Sequence, residues 1–527
     1  MKKALPLLMA FILIVTFFSG CAGDSGDKGG DSKTPSITIF AHGLEQYDGA
    51  DKDRVWEEIE KKTNTKIELS GTPLTNYNEK INIMVNTGEA PDLFFYLPER
   101  SETYSKWVQQ GMITPLDEYV KDDSKYPNLY KLLNSDTFKN LTYENQRTLV
   151  PWVALQNNWA VYIRKDWLDN LGLSVPKTMD EYLDVMKKFT QNDPDKNGKN
   201  DTYGLCSAKG IYWFMPFYAA YVKKPDWNYS KDKSTMEHMY YTEEYKQFLG
   251  VMAKAYADGL IVKDYYTKSD ELKIEDFASG KAGIMVHNSA GHISNLMDKT
   301  AQASPTAKVE VIAPPEGPAG ANMHGWGGWW GGYSISSNCK NVDAALRILE
   351  FMHSEEGAKL RFNGIENVHY TAENDEVKVT EANLAERAKD PQGRFQLIKL
   401  DGAAEEQPFG PYGWGGHFGS VYTIEGGNVK ALENINNIKY RDLTKKALDL
   451  LDPYISSSDM MNITVSGTEF AQINKRLDDQ ANTYTTNIIV GRKSVDEGFK
   501  EYMEKAKGLQ YEKAGKLAFE AAQNAKK

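Results

Sequence analysis

The sequence predicts an α/β protein with mostly parallel sheets, because short apolar runs alternate with amphipathic stretches along the chain. Ile37–Ala41, Lys66–Ser70 and Asp92–Tyr96 have the composition of strands, and the last run is almost entirely apolar. Asp53–Lys62 and Asn78–Asn86 separate these runs, and each places its apolar residues on one helical face. This order favours a parallel sheet, in which ligands bind beyond the carboxyl ends of the strands.

A second set of elements with the same character follows further along the chain. Ala160–Arg164 and Ala282–His287 are strand-like. Thr178–Phe189 is predicted to be an amphipathic helix that begins with a Thr-x-x-Glu capping box. Asn341–Ser354 is predicted to be another helix, capped by the asparagine at its first position. From about Leu360 onward, helical stretches alternate with Gly-rich loops.

The N-terminal 20 residues have the three parts of a secretory signal peptide. Two lysines precede the apolar run Leu5–Phe18, which is too short for a membrane-spanning helix, and two small residues precede Cys21. Phe18-Ser19-Gly20-Cys21 resembles a bacterial lipobox, which implies that Cys21 is lipidated; ordinary secretion is the alternative. Residues 21–35 are mainly Gly, Asp, Ser and Lys, so we expect a flexible tether.

Composition narrows the classes of function. The chain of 527 residues is long enough for several domains. Its formal net charge of −11, without a basic block, argues against nucleic-acid binding. Besides Cys21 there are only Cys206 and Cys339, which we expect to be buried thiols, with a disulfide as the alternative.

Three segments carry a family resemblance. Residues 162–168, with sequence YIRKDWL, continue into LGL at 171–173 and VPKT at 175–178. Residues 277–284 read FASGKAGI, and residues 363–370 read NGIENVHY. In this order, the segments resemble family 1 extracellular solute-binding lipoproteins of Gram-positive carbohydrate ABC importers, which are similar to maltose-binding proteins.

The resemblance implies a periplasmic-binding-protein-like type 2 fold, in which two α/β lobes joined by a hinge close on a ligand. Mapped onto this chain, the first lobe takes residues 36–157 and 286–341, and the second takes 158–285 and 342–527. The implied function is capture of an oligosaccharide and its delivery to an ABC permease. We expect a monomer that is lipid-anchored at the extracellular face of the cell membrane.

A calcium site is predicted in the segment 193–204, DPDKNGKNDTYG. Its first, third, fifth and ninth residues carry side-chain oxygens and its sixth is glycine, as in an EF-hand loop. The predicted ligands are Asp193, Asp195, Asn197, Lys199 through its carbonyl, and Asp201. Gly204 replaces the usual bidentate glutamate, so Thr202, water or a carboxylate from elsewhere must complete the shell. The alternative is a polar turn without a metal.

Candidate ligand-binding residues come from an aromatic, Gly-rich segment at 325–333 and from loops that follow predicted strands. Indole rings stack on the apolar face of a sugar, and glycines allow the ligand to approach the backbone. The predicted residues are Glu45, Tyr47, Tyr96, Glu99, Arg100, Tyr212, Trp213, Asn288, His292, Trp326, Trp329, Trp330 and Trp414. Some of these rings are expected only to pack between the lobes.

We do not expect an enzyme. The chain has neither a His-Glu-x-x-His motif nor a Gly-x-Ser-x-Gly nucleophile turn. Carboxylates are abundant, so a lipid-anchored glycoside hydrolase with two facing carboxyls is the main alternative. A peptide-binding lipoprotein is a second alternative. Neither the sugar nor its charge follows from the sequence.

Overall fold

The computed structural model describes residues 34–42, 44, 54–97, 101–154, 159–289, 293–325, 327–368, 370–373, 376–380, 422–431 and 441–526. The predicted signal peptide, most of the tether and Cys21 lie outside these ranges. Within them, no helix combines the length and the apolar character needed to cross a membrane.

The strands of the described residues are numbered in chain order. They are β1 (Ser36–His42), β2 (Lys66–Thr72), β3 (Leu93–Tyr96), β4 (Val150–Val153), β5 (Trp159–Arg164), β6 (Tyr203–Cys206), β7 (Trp227–Tyr229), β8 (Met236–His238), β9 (Ala282–Asn288), β10 (Val309–Ile312), β11 (Glu316–Gly317), β12 (Gly320–Ala321), β13 (Met323–His324), β14 (Trp329–Ile335), β15 (Tyr370–Glu373), β16 (Glu376–Val379), β17 (Tyr422–Glu425), β18 (Asn428–Ala431) and β19 (Ile455–Ser456).

The helices are numbered in the same way. They are α1 (Arg54–Thr63), α2 (Leu74–Thr87), α3 (Ser101–Gln109), α4 (Pro127–Leu133), α5 (Lys165–Leu171), α6 (Met179–Gln191), α7 (Met215–Ala219), α8 (Glu243–Ala257), α9 (Asp270–Ala278), α10 (Ile293–Ala303), α11 (Val342–Met352), α12 (Glu355–Asn363), α13 (Arg441–Leu451), α14 (Thr468–Ile489), α15 (Val495–Gly508) and α16 (Tyr511–Asn524). A 3₁₀ helix, Ile211–Phe214, precedes α7.

Two sheets organise the chain. The first has the order β2-β1-β3-β14-β4, in which β1 pairs in parallel with β2 and β3, and β14 is antiparallel to both of its neighbours. The second has the order β10-β5-β9-β6, in which β6 and β9 are parallel and β5 is antiparallel to β9. The predicted α/β class is therefore confirmed. The prediction of mostly parallel sheets was wrong, because three of the seven strand pairs in these two sheets are parallel and four, including β10 with β5, are antiparallel.

Each sheet has its own hydrophobic core. The first core gathers buried residues of β1–β4, α1–α4, β14, α11 and α12, and the second gathers those of β5, β6, β9, α5–α10 and the C-terminal helices. The cores divide the chain differently from the predicted lobe boundaries. Leu296 of α10 packs in the second core and Leu346 of α11 in the first, although the sequence places each of them in the other lobe.

Most of the local predictions are confirmed. Helix α6 begins with a capping box, in which the Thr178 hydroxyl accepts from the Glu181 N–H and the Glu181 carboxylate accepts from the Thr178 N–H. Asn341 is the residue that precedes α11, as predicted. Its side chain makes no hydrogen bond to the helix backbone, so the prediction that it caps the helix was wrong. Cys206 and Cys339 are buried free thiols, as expected.

Candidate functional site

Four aromatic rings form a cluster at the carboxyl edge of the first sheet. His42 ends β1, and Trp330 lies near the start of β14, where that antiparallel strand reaches the same edge. The Trp330 ring centroid lies 5.4 Å from that of His42, 4.8 Å from that of Trp152 and 5.8 Å from that of Phe95. Trp330 and Trp152 remain half-buried, so this group keeps apolar surface accessible to a ligand.

A β-bulge explains how two consecutive tryptophans face different surroundings. Trp329 pairs with Val153, whereas the next paired residue, Gly331, is opposite Trp152. Trp330 is therefore the extra residue of the bulge, which changes the direction of its side chain. Gly331 must be glycine here, because a Cβ would overlap with the Phe95 ring.

His42 is uncharged at neutral pH. Burial lowers the pKa of its imidazole to about 4, because an apolar environment disfavours the charged form. The first-sheet cluster thus presents two half-buried indole rings and a neutral imidazole, packed on the buried Phe95 ring. This combination suits an uncharged face of a sugar ring better than a cation.

A second group of rings occupies the carboxyl edge of the second sheet, and we call Trp159, Tyr212 and Trp213 the aromatic trio. Trp159 begins β5 opposite Asn288, the last residue of β9. Tyr212 and Trp213 belong to the 3₁₀ helix that follows β6. The Trp159 and Trp213 centroids are 5.0 Å apart with rings nearly perpendicular, and those of Tyr212 and Trp213 are 4.8 Å apart.

Exposure differs within the trio. Tyr212 is 45% exposed and Trp159 is half-buried, whereas Trp213 is only 7% exposed. Tyr212 folds back over Gly210, whose φ of +118° is available to glycine and rarely to other residues. Trp213 is therefore mainly a support, and the accessible faces of the trio belong to Tyr212 and Trp159.

The two edges lie close to each other. Val153 ends β4 at the edge of the first sheet, and Trp159 begins β5 at the edge of the second. Six residue steps of extended chain span at most about 20 Å. Both aromatic groups therefore lie within reach of a single ligand a few sugar units long.

The structure places six of the predicted ligand-binding residues. Trp329 and Trp330 lie at the first edge, while Tyr212, Trp213 and Asn288 lie at the second. Tyr96 is 3% exposed and stacks on Tyr104 with a centroid distance of 4.0 Å, so it belongs to the first core. The remaining candidates lie outside the described residues: Glu45, Tyr47, Glu99, Arg100, His292, Trp326 and Trp414.

The sequence-based prediction did not single out Trp152 and Trp159. Each is a single ring within or beside an apolar run, which is the ordinary pattern of a core residue. The antiparallel directions of β5 and β14 bring the starts of these strands to the ligand edge. Only a correct strand order would have indicated that Trp159 lies there.

The predicted calcium loop has the hydrogen bonds of an EF-hand-like turn. Asp193 accepts from the N–H groups of Asn197 (3.0 Å) and Gly198 (2.9 Å), and the Asn197 side-chain oxygen accepts from the Lys199 N–H at 2.8 Å. The Asn197 amide nitrogen donates to Asp195 (2.9 Å) and Asp201 (3.2 Å). Burial and the neighbouring Asp193 carboxyl raise the pKa of Asp195.

The surroundings of the loop limit its remaining ligands. Gly204 packs directly on α6, where any Cβ would overlap with Met186, so this position cannot carry a carboxylate. The Thr202 hydroxyl donates to the Phe189 carbonyl at 2.6 Å and is turned away from the loop. In the described part of the chain, no three His, Cys, Asp or Glu side chains are spaced as a formed metal site.

The fold and the aromatic edges define a type 2 periplasmic-binding-protein-like receptor. Residues 43–359 match the family of bacterial extracellular solute-binding proteins, and the chain belongs to this family. The predicted class, the substrate-binding subunit of an ABC importer, is confirmed, and the family is one of binding proteins rather than glycoside hydrolases.

Two curated relatives come from Bacillus subtilis (strain 168). The polygalacturonan/rhamnogalacturonan-binding protein YtcQ is 31% identical over 415 residues, which cover 76% of this chain and 81% of the relative. Lipoprotein LipO is 28% identical over 378 residues, which cover 69% and 73% of the two chains.

Solved structures share the fold at low sequence identity. An HMO-binding, ABC-transporter-associated solute-binding protein of Bifidobacterium longum infantis aligns with a TM-score of 0.68 at 18% identity, covering 93% of this chain and 99% of the other. FusA of Streptococcus pneumoniae, in an EF-hand mutant form, aligns with a TM-score of 0.66 at 18% identity, covering 93% and 99%. The alginate-binding protein AlgQ2 without calcium ion aligns with a TM-score of 0.63 at 18% identity, covering 93% and 98%.

Proposed function

We propose that this protein is a lipid-anchored receptor that binds an oligosaccharide between two lobes and delivers it intact to an ABC permease. The observation that carries the proposal is the pair of aromatic groups at the adjoining carboxyl edges of the two sheets. One group centres on Trp330 and the other on Trp159 and Tyr212. Accessible indole and phenol faces are suited to stacking on sugar rings.

The two lobes of this proposal follow the two cores. Among the described residues, the first lobe comprises those within 36–154, 327–380 and 422–431, and the second comprises those within 159–325 and 441–526. Closure of the lobes would bring the two aromatic groups onto opposite sides of the ligand. A ligand that contacts both lobes stabilises the closed form.

Oligosaccharides that contain galacturonic acid are the first candidates for the ligand. The relative YtcQ, at 31% identity, is named for polygalacturonan and rhamnogalacturonan binding. Neutral sugars are the second candidates, because the relative FusA of S. pneumoniae is named for fructooligosaccharides.

Isothermal titration with oligogalacturonides, rhamnogalacturonan fragments, fructooligosaccharides and xylooligosaccharides tests the proposal. We expect one class to bind with a Kd below about 10 µM, and chromatography to recover the sugar unchanged. Absence of binding by every class, or cleavage of the bound sugar, would contradict the proposed receptor.

We further propose that the loop 193–204 binds calcium and stabilises the second lobe. Asp193, Asp195, Asn197 and Asp201 supply oxygens of the kind that Ca²⁺ prefers, and the Lys199 carbonyl adds another. Rotating the Asn197 amide by half a turn would direct its oxygen, rather than its nitrogen, toward Asp195 and Asp201. The pKa of Asp195 is raised next to Asp193, which indicates a carboxylate pair that a cation would stabilise. Water must fill the positions that Gly204 and Thr202 leave open.

The lipid anchor at Cys21 is part of the same proposal. Expression of the full chain in a Gram-positive host should place it in the membrane fraction. The Cys21→Ser variant should be recovered from the medium or remain as an uncleaved precursor. A Cys21→Ser variant that loses its signal peptide and still stays in the membrane fraction would remove the anchor from the account and leave the receptor function standing.

A further inference from the structure

A buried lysine lies directly beneath the aromatic trio. The Lys273 side chain is 0% exposed, and its Nζ lies 2.9 Å from the centroid of the Trp213 ring. The same Nζ donates to the Val286 carbonyl at 2.9 Å and pairs with Asp270 Oδ1 at 2.9 Å. One ammonium group thus joins helix α9, strand β9 and the 3₁₀ helix that carries Trp213.

The fold of the second lobe does not explain this lysine. Besides Lys273, helix α9 buries Ile274, Phe277 and Ala278, and one carboxylate, Asp276, which is paired with Lys268. An apolar side chain at position 273 would continue the packing of the three apolar residues. Burying an ammonium group is costly even when it is paired. Burial lowers the pKa of Lys273 to about 8, against the opposing effect of Asp270. A costly buried charge behind a binding surface indicates a role in that surface.

We propose that Lys273 is a positioning residue for the ligand site, holding Trp213, and through it Trp159 and Tyr212, in the orientation that stacks on sugar. A cation over an indole face is attracted by the ring quadrupole, most strongly when both groups are shielded from water. The inference rests on the proposed function, since the trio is taken to contact oligosaccharide. It adds that the geometry of this surface depends on a residue that does not itself touch the ligand.

The chain offers a matched control for removing this charge. Lys268 is likewise buried in the second lobe and pairs with Asp276 at 2.6 Å. In both cases the remaining carboxylate keeps a second nitrogen neighbour, His287 at 3.7 Å for Asp270 and Lys281 at 3.3 Å for Asp276. Lys268→Met therefore removes a comparable buried ion pair, which Lys268 makes with Asp276 and Asp264 instead of beside the Trp213 ring.

The first measurement is the affinity for the oligosaccharide that the wild-type protein binds. We expect Lys273→Met to weaken binding at least fivefold, Lys268→Met to leave it within twofold, and Lys273→Arg to retain most of it. In a Trp213→Phe background, Lys273→Met should have little further effect, because the two residues act as a unit. Equal losses in both methionine variants, or an undiminished loss in the Trp213→Phe background, would overturn the positioning role.

The second measurement needs no ligand. Acrylamide quenching of tryptophan fluorescence should increase in Lys273→Met and not in Lys268→Met, and the difference should vanish in the Trp213→Phe background. Unchanged quenching overturns the inference whatever the sugar panel shows. If quenching increases but the wild-type protein binds no oligosaccharide, the proposed function fails and the positioning of Trp213 stands. Lys273→Gln, which keeps a donor for Val286, replaces Lys273→Met if that variant does not fold.

Discussion

Asn462 accepts a hydrogen bond from the Trp329 indole N–H at 2.9 Å. The amide nitrogen of the same asparagine donates to the carbonyls of Gly327 (2.7 Å) and Thr137 (2.8 Å). One side chain therefore fixes the segment after β19 to the start of β14 and to the loop that follows α4. Gly327 must lack a side chain here, because a Cβ would overlap with the Asn462 oxygen. A residue of the C-terminal part of the chain thus stabilises the edge that carries Trp330.

The first prediction concerns this contact. Asn462→Ala removes three hydrogen bonds worth about 1 kcal/mol each, so both stability and sugar affinity should fall, the affinity about tenfold. Asn474 is the matched control, since it accepts from the Trp227 indole N–H at 2.7 Å within the second lobe. Asn474→Ala should lower the melting temperature and leave the affinity unchanged. Equal affinities for the two variants in isothermal titration would show that Asn462 does not support the site.

The second prediction concerns the first-sheet cluster. Trp330→Ala removes its most central ring and should weaken oligosaccharide binding about 30-fold, because stacking surface is lost from one side of the ligand. Trp330→Phe keeps an aromatic face and should lose less than about fivefold. Titration of the two variants against the same sugar checks this order. Similar losses for both, or none for either, would place the ligand elsewhere.

The third prediction concerns calcium. Ca²⁺ that binds only the folded chain raises its stability by mass action, so EDTA should lower the melting temperature by about 5 °C. The Asp195→Ala variant should have a lower melting temperature than the wild-type protein, and EDTA should not lower it further. Asp232→Asn alters another Asp-based turn, where Asp232 accepts from the Ser230 hydroxyl and the Ser234 N–H, and should keep the full EDTA response. Equal responses of all three proteins in scanning calorimetry would remove the calcium site.

The fourth prediction concerns acid stability. His324 is buried in β13 with its Nε2 2.7 Å from the Val222 carbonyl oxygen, and burial lowers its pKa from 6.5 to about 4. Between these pH values the unfolded chain binds a proton that the folded chain does not. The free energy of unfolding therefore falls as the pH falls through this window.

His324→Gln removes the titrating group at this position and retains a donor for Val222. Between pH 7 and pH 4.5, its loss of stability should be smaller than that of the wild-type protein by roughly 2 kcal/mol. Denaturant unfolding at the two pH values measures the difference. Parallel pH profiles for the two proteins would show that His324 does not contribute to acid sensitivity.

Local order was predictable from the sequence because it depends on neighbouring residues. The 3.6-residue period of α1 and α6, the Thr178 capping box and the apolar run of β3 are all local patterns, and the structure contains them. Pairings over long sequence separations were not predictable in this way. For example, Lys62 pairs with Glu356 of α12 at 2.5 Å rather than with Glu58, four residues before it in α1, and Glu58 pairs with Lys61.

The lobe boundaries and the placement of Trp159 at the second sheet edge depend on such contacts between distant parts of the chain. An amphipathic helix such as α11 shows which of its faces is buried but not which core buries it. Likewise, Trp159 becomes a candidate ligand residue only because β5 runs antiparallel to β9 and begins at its carboxyl end. The Gly-rich aromatic segment was recognisable because its composition is unusual for a core. Lys273 could not have been distinguished in the sequence from any other helix lysine.

Small-angle X-ray scattering with and without the bound oligosaccharide tests the central claim most directly. The account predicts a smaller radius of gyration on binding, with the sugar recovered intact, and a diminished response in both Trp159→Ala and Trp330→Ala, which remove one ring from each sheet edge. An unchanged radius at saturating sugar, or a dependence on only one of the two rings, would contradict binding between two closing lobes.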